Sequence, residues 1–153
     1  MLNSSETEDR IKSAEDALSD AKKAFNNKMI IPTIQLSQVC IEQSAKAVIA
    51  CFAIPEWEHD PSKQLLSLLE LHKTTIIEKC GEELFNRLNQ LSEDSHNAAP
   101  WHEYSVYGKY DKATKRWIIP RYICTEEIAT WIFPLSERSY NTAKKFIDTW
   151  FSK

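Results

Sequence analysis

The chain has 153 residues, 42% of them hydrophobic, and a formal net charge of −3 with acidic and basic residues interspersed. A chain of this length buries one core and is too short for two comfortable domains, so we predict a single domain over 1–153. It carries no basic excess of the kind that drives binding to duplex DNA, which argues against that partner. Two glycines in the whole sequence favour long helices over a β-rich fold with many tight turns.

The start of the chain and its cysteines predict a cytoplasmic protein. Residues 1–10 are polar and acidic, unlike a secretory signal, and no apolar run approaches the roughly 20 residues that a membrane-spanning helix needs. The four cysteines are widely spaced and form no CxxC pair. We interpret them as reduced thiols rather than as disulfides or zinc ligands, and we expect no membrane association.

Two helices are predicted in the first third of the chain, after a frayed segment at 1–10. Apolar residues at three- and four-residue spacing indicate a first amphipathic helix that ends near Asn26. A second helix, over about 30–53, has Pro32 in its first turn and ends before Pro55. Because it is apolar on most sides, we predict that it is the central helix.

The middle of the chain predicts two further helices separated by Gly81. Asp60 is a good N-cap residue and Pro61 suits a first helical position, so a third helix begins there and continues through a run of leucines. A fourth, shorter helix follows Gly81 and ends near Ser95.

Residues 100–124 are rich in aromatic side chains and predict a long loop insertion or a small β-hairpin whose turn is Asp111–Thr114. The last helix begins after Thr125, a good N-cap residue. Pro134 lies inside its apolar pattern and is expected to kink or divide it.

One narrow stripe of the central helix is polar. Gln35, Gln38, Glu42 and Lys46 are three and four residues apart and therefore share a face. Such a stripe is usually a solvated edge, which is the first interpretation. The second is a polar seam that faces a cleft or a symmetry mate.

Several of these segments together resemble the HEPN domain family. Glu42 precedes the Lys46-Ala47 step by one turn, as in the second helix of that family. The pair His59-Asp60 opens the third helix, and Arg121-Tyr122 precedes the last one, in the order and spacing that the family shows. The likeness extends from about residue 13 to residue 151. It implies an all-α, up-and-down bundle of about five helices that forms a homodimer and works with a minimal nucleotidyltransferase.

The chain departs from the family in one respect that bears on catalysis. HEPN ribonucleases carry an arginine followed after four to six residues by a histidine, but no histidine follows Arg121. Arg87 and His96 are too far apart for that motif, and we expect them to straddle a helix end. The resemblance therefore implies a non-catalytic module that acts by dimerisation and partner binding. A ribonuclease toxin of a toxin–antitoxin pair and a purely structural adaptor are the alternatives.

The candidate ligand site combines residues from three segments that the resemblance brings together: Arg121, Tyr122, Glu42, Lys46 and His59. An arginine fork grips phosphate and a neighbouring aromatic ring stacks on a base, so nucleotide or RNA is the expected ligand. The competing interpretation makes Arg121 a structural anchor that pairs with Glu42 across the bundle.

No cofactor or metal site is predicted. The grouping of His96, His102 and Glu103 lacks the fixed spacing of defined zinc motifs, and we interpret it as incidental. A Gly-rich phosphate loop is absent from the sequence, and no serine or cysteine lies in a recognisable catalytic context.

Overall fold

The computed structural model describes residues 4–152, which form an all-α fold with one small hairpin, as predicted. The elements within this range are α1 (Ser4–Asn26), α2 (Ile30–Ala50), α3 (Ser62–Leu71), α4 (Lys73–Cys80), α5 (Glu82–Ala98), α6 (Trp101–Val106), β1 (Lys109–Asp111), β2 (Arg116–Ile118), α7 (Pro120–Ile123) and α8 (Glu126–Trp150). There are eight helices in the described range rather than about five, because one predicted helix is divided and two short ones were not predicted.

The helix α2 is central, as its apolar sequence predicted. It packs against α1 and α8 along its length and also contacts α3, α5 and α6. Ile34, Ile41, Ala45 and Val48 are completely buried, and they belong to two apolar groups at opposite ends of the helix. The side chains of α2 therefore meet most of the other elements.

The helix α1 begins earlier than predicted. Residues 4–10, expected to be frayed, are helical, and residues 1–3 lie outside the described range. Thr7 is buried, and the Arg10 guanidinium donates a hydrogen bond to Gln43 Oε1 of α2 at 3.2 Å. Further along, the small buried side chains of Ala14 and Ala21 let α1 approach α2 closely. The contacts of Thr7 and Arg10 thus hold the first turns in place, and the alanines continue the packing along α1.

The predicted third helix is in fact two helices, α3 and α4, interrupted at His72. The His72 ring stacks on Phe52, with centroids 4.5 Å apart. At the start of α3, Asp60 Oδ1 accepts a hydrogen bond from the Ser62 backbone N–H at 3.0 Å. The next helix, α5, continues to Ala98 and is longer than predicted.

The hairpin predicted within 100–124 is present, and it lies between α6 and α7, which were not predicted. Its antiparallel register pairs Tyr110 with Trp117. In the turn, the Asp111 carboxylate accepts hydrogen bonds from the Thr114 hydroxyl and the Ala113 N–H, and these bonds lower the pKa of Asp111. Gly108 has φ +100°, and a Cβ there would lie 2.1 Å from a backbone oxygen of β2, so only glycine fits.

Pro134 was predicted to kink or divide the last helix, and the division does not occur, because α8 runs without interruption through this residue. Thr125 caps it as predicted, since its hydroxyl oxygen accepts a hydrogen bond from the Ile128 N–H at 3.3 Å. Phe133 and Ser136, on either side of the proline, are both buried. Packing on both sides of the proline thus supports one continuous helix despite the missing backbone donor.

The cysteines are free thiols, as predicted. Cys40 and Cys51 are buried in and just after α2, and burial raises the pKa of each to about 12. Burial also raises the pKa of the half-buried Cys80, where nearby Lys79 opposes the shift. Among residues 4–152, no helix combines the length and the apolarity required to cross a bilayer.

Candidate functional site

The polar stripe of α2 is buried rather than solvated. Gln38, Glu42 and Lys46 are at most 7% exposed, which rules out the solvated-edge interpretation for them. The Lys46 ammonium forms an ion pair with Glu42 Oε1 at 2.9 Å, and Gln38 Nε2 donates a hydrogen bond to Glu42 Oε2 at 3.0 Å. The fourth residue, Gln35, is half-buried and donates to the Ser105 carbonyl of α6. The stripe therefore faces protein.

Two histidines from distant segments complete this arrangement. His59, in the loop before α3, places Nδ1 3.4 Å from Glu42 Oε2. His102, on α6, places Nδ1 3.3 Å from Gln38 Oε1, and the two imidazole rings stack with centroids 3.6 Å apart. We refer to Gln38, Glu42, Lys46, His59 and His102 as the polar cluster.

The protonation of His102 follows from its position. Partial burial lowers its pKa below the ordinary value for histidine, and the neighbouring His59 lowers it further. The ring is therefore neutral at pH 7. A neutral imidazole with one nitrogen directed at an amide oxygen has its other nitrogen available as an acceptor or a ligand.

A cavity of about 450 Å³ opens beside the polar cluster, between the loop before α3, the end of α5 and the start of α6. His59, His102 and His96 all line it. His96 Nδ1 lies 2.8 Å from Asp60 Oδ2. Burial alone would raise the pKa of Asp60, but hydrogen bonds from Ser62 and His96 outweigh it and leave that pKa below its usual range.

Three members of the polar cluster have the chemistry of metal ligands. One donor atom each of Glu42, His59 and His102 lies within 4.8 Å of the other two. The grouping of His96, His102 and Glu103 considered from the sequence is not among the candidate metal groups in residues 4–152. The sequence drew attention to His59 and His102 separately, but no spacing rule connects residues on a loop and on a helix 43 positions later.

Arg121 and Tyr122 lie elsewhere. Both are exposed on α7, and the hydrogen bonds and ion pairs of Glu42 go to its neighbours in the polar cluster. The competing interpretation, in which Arg121 pairs with Glu42 as a structural anchor, is therefore wrong. Of the five predicted ligand residues, the structure brings Glu42, Lys46 and His59 together but links Arg121 and Tyr122 to them by no hydrogen bond or ion pair.

Arg121 and Tyr122 instead belong to a surface formed by the hairpin and α7. We call it the aromatic–basic face, and it consists of Tyr107, Tyr110, Trp117 and Tyr122 together with Lys109, Lys112, Lys115, Arg116 and Arg121. The four aromatic side chains are between 50% and 70% exposed. None of the five basic side chains forms an ion pair with a residue in the described part of the chain.

The hairpin holds these side chains on a defined framework. Trp117 Nε1 donates a hydrogen bond to the Tyr107 carbonyl at 2.8 Å, which ties β2 back to the end of α6. The Lys109 ammonium lies 5.1 Å from the centroid of the Tyr104 ring. Glu103 lines both the cavity beside the polar cluster and a depression under the hairpin, so the two regions adjoin.

Sequence reasoning also missed an ion pair between α5 and α8. The Arg138 guanidinium donates to both oxygens of the Asp94 carboxylate at 2.9–3.0 Å, and that carboxylate is almost fully buried. No local pattern signals a pair 44 residues apart. On the same helix, Arg87 and His96 do not straddle a helix end as expected: both lie within α5, nine residues and so about 13 Å apart.

The chain was compared with protein-family models, with curated proteins and with solved structures. Neither the curated proteins nor the solved structures contain one that matches this chain. The family model of the HEPN domain matches residues 7–150, which is nearly the whole chain and includes every helix described above except the first turn of α1. The chain therefore belongs to the HEPN domain family.

Proposed function

We propose that this HEPN domain binds single-stranded RNA through the aromatic–basic face. The observation that carries the proposal is a local concentration of charge and exposed rings. Residues 107–122 contain five basic side chains and one acidic side chain, in a chain whose net charge is −3. Four aromatic side chains in the same segment expose half or more of their surface.

This combination suits a flexible strand with accessible bases. Exposed aromatic rings stack on bases that are not already paired, and each stacked base contributes about 1–3 kcal/mol. Lysine and arginine side chains that form no ion pair within the described residues are available for the phosphates. Bases inside a duplex are already stacked on each other, so the rings of the hairpin favour a single strand.

The roles of the predicted ligand residues divide between the two regions. We assign phosphate binding to Arg121 and base stacking to Tyr122, because both side chains are exposed on α7. In the polar cluster the charge of Lys46 is matched by Glu42 at 2.9 Å. That ammonium is therefore less available to an anionic ligand, and Glu42, Lys46 and His59 are not needed for the initial binding of RNA.

The test measures the affinity of a fluorescent ten-nucleotide RNA by anisotropy. Arg121→Ala and Tyr122→Ala are each expected to weaken binding about 5- to 100-fold, since each removes one phosphate contact or one stacked base. Tyr122→Phe keeps the ring and should bind as the wild type does. Arg87→Ala, on α5, removes the same charge from another surface and should also bind normally.

Salt dependence provides a second measure. A single strand that contacts all five basic side chains would give a slope of log K against log [salt] of about −3.5, and Arg121→Ala should reduce its size by about 0.7. The proposal fails if the wild type does not bind, or if Arg87→Ala weakens binding as much as Arg121→Ala. Recovery of intact RNA is expected, and specific cleavage would favour the ribonuclease alternative.

We also propose that the domain pairs with a second copy through the loop between α2 and α3. Ile54 and Trp57 in this loop are almost completely exposed. Gln64 of α3 nevertheless fixes the loop, because its side chain donates to the Ile54 carbonyl and accepts from the Glu56 N–H. We base the proposed contact on this ordered loop because it presents two large apolar side chains to solvent.

Light scattering tests the pairing directly. The wild type should give a dimer mass at micromolar concentration, and Trp57→Ser should shift it towards the monomer. A monomer mass for the wild type would contradict self-association. The minimal nucleotidyltransferase that the family resemblance implies is then the partner to test on the same surface.

A further inference from the structure

We propose that Glu42, His59 and His102 bind a divalent transition-metal ion of the Zn²⁺ type, at a site separate from the aromatic–basic face. Two imidazoles and a carboxylate are a ligand set typical of zinc, with a fourth position left open. The three donor atoms already lie within 4.8 Å of one another. This inference reverses the sequence-based expectation that His102 belongs to an incidental grouping.

The distances fit a tetrahedral ion. Donor atoms about 2.1 Å from zinc at tetrahedral angles lie about 3.4 Å from each other. His59 Nδ1 and Glu42 Oε2 are 3.4 Å apart, so this pair already has the spacing of two ligands. The donor atom of His102 lies within 4.8 Å of the other two, so a side-chain shift of about an ångström brings all three donors to this spacing.

The groups around the three candidate ligands hold the ligand side chains in orientation through hydrogen bonds. Lys46 holds Glu42 Oε1 at 2.9 Å, which leaves Oε2 directed towards His59. Gln38 donates to Glu42 through its Nε2 and accepts from His102 Nδ1–H through its Oε1, at 3.0 and 3.3 Å. The second nitrogen of His102 then carries the free lone pair. Outer-shell partners of this kind fix the tautomer and the ring orientation of metal-binding histidines.

The position of the site allows entry from solvent. His59 and His102 line the cavity of about 450 Å³ beside the polar cluster, while Glu42 lies behind them on α2. An ion held by all three would have its open position towards this cavity. Water or an anionic group could occupy that position.

The experiment titrates Zn²⁺ into chelator-treated full-length protein in competition with a chromophoric chelator, and records the visible absorption of Co²⁺ as a probe of tetrahedral geometry. His59→Ala and His102→Ala should each weaken Zn²⁺ binding more than tenfold and abolish the Co²⁺ bands. Gln38→Ala, which removes an outer-shell partner, should weaken binding about tenfold. His59 is exposed on a loop, so its variant is expected to fold, and circular dichroism checks each variant.

His96→Ala is the matched control, because His96 lines the same cavity but pairs with Asp60. It should bind Zn²⁺ with unchanged affinity. The proposal is overturned if the wild type does not bind Zn²⁺. It is also overturned if His59→Ala and His102→Ala bind Zn²⁺ with the same affinity as the control His96→Ala. Arg121→Ala should leave Zn²⁺ binding unchanged, so failure here and failure of RNA binding are distinguishable.

Discussion

The polar cluster and the aromatic–basic face differ in the burial and pairing of their charged side chains. In the cluster, Lys46 and Glu42 are 2.9 Å apart and each side chain is 9% exposed. On the face, five basic side chains are free of ion pairs within the described residues, and Arg121 is exposed on the short α7. Both regions carry cationic side chains. Only in the polar cluster is the cation buried together with an anionic partner, Glu42.

The difference concerns what each cation does for the fold. A buried charge must be paired, since an uncompensated ion away from water is costly. An exposed charge is stabilised by water and contributes little to folding, so its side chain is available for a ligand. Lys46 is therefore expected to matter for stability and Arg121 for binding. The following substitutions test that contrast.

The largest effect is expected for Lys46→Met. The change leaves Glu42 buried without its cation, which should lower the free energy of unfolding by about 3–5 kcal/mol. Denaturant unfolding measures it. Lys112→Met on the hairpin turn is the control and should change stability by no more than about 0.5 kcal/mol. Equal losses for the two variants would remove the contrast between the regions.

An intermediate effect is expected for Arg138→Leu. Its guanidinium is half-exposed but pairs with the buried carboxylate of Asp94, which would keep only its bond from Gln90. We expect a loss of about 2 kcal/mol, in the range for hydrogen bonds to charged groups. Thermal and urea unfolding both report it. The change Arg87→Leu, on the exposed side of α5, should have almost no effect.

A smaller effect, confined to the hairpin, is expected for Gly108→Ala. The methyl group would meet the Ile118 carbonyl at φ +100°, so the hairpin must shift at a cost of about 1–2 kcal/mol. RNA affinity should fall with it, while Zn²⁺ binding stays as in the wild type. Hydrogen exchange should increase in residues 107–122 only, and increased exchange across α2 would contradict a local effect.

The smallest effect on stability is expected for Arg121→Ala, at less than about 1 kcal/mol. The residue is exposed and pairs with no acid in residues 4–152. The same protein sample should nevertheless lose RNA affinity, as described above. A loss of several kcal/mol would show that Arg121 is structural after all.

The long helices could be predicted because their signals are local. The apolar pattern of α2, the cap at Thr125 and the hairpin turn at Asp111–Thr114 each depend on neighbours in the sequence. The break at His72 could not be predicted, because it accompanies a ring stacked on Phe52 from another element. Continuity through Pro134 likewise accompanies tertiary packing.

The candidate site was predictable in its parts and not in its assembly. The periodicity of α2 placed Gln38, Glu42 and Lys46 on one face, and the structure confirms that shared face. Whether that face met water or protein depended on α6, which was not recognised in the aromatic segment. With α6 missing, His102 had no expected position, and the stacking of His102 on His59 could not be inferred.

The buried thiols make chemical labelling of this domain selective. Burial raises the pKa of Cys40 and Cys51 to about 12, so both remain protonated at pH 8, and the fold covers both. Cys124 is buried as well, so the half-buried Cys80 at the end of α4 is the thiol most open to a maleimide. A dye attached to Cys80 would provide a fluorescence signal for the RNA-binding, Zn²⁺-binding and self-association measurements without any cysteine substitution.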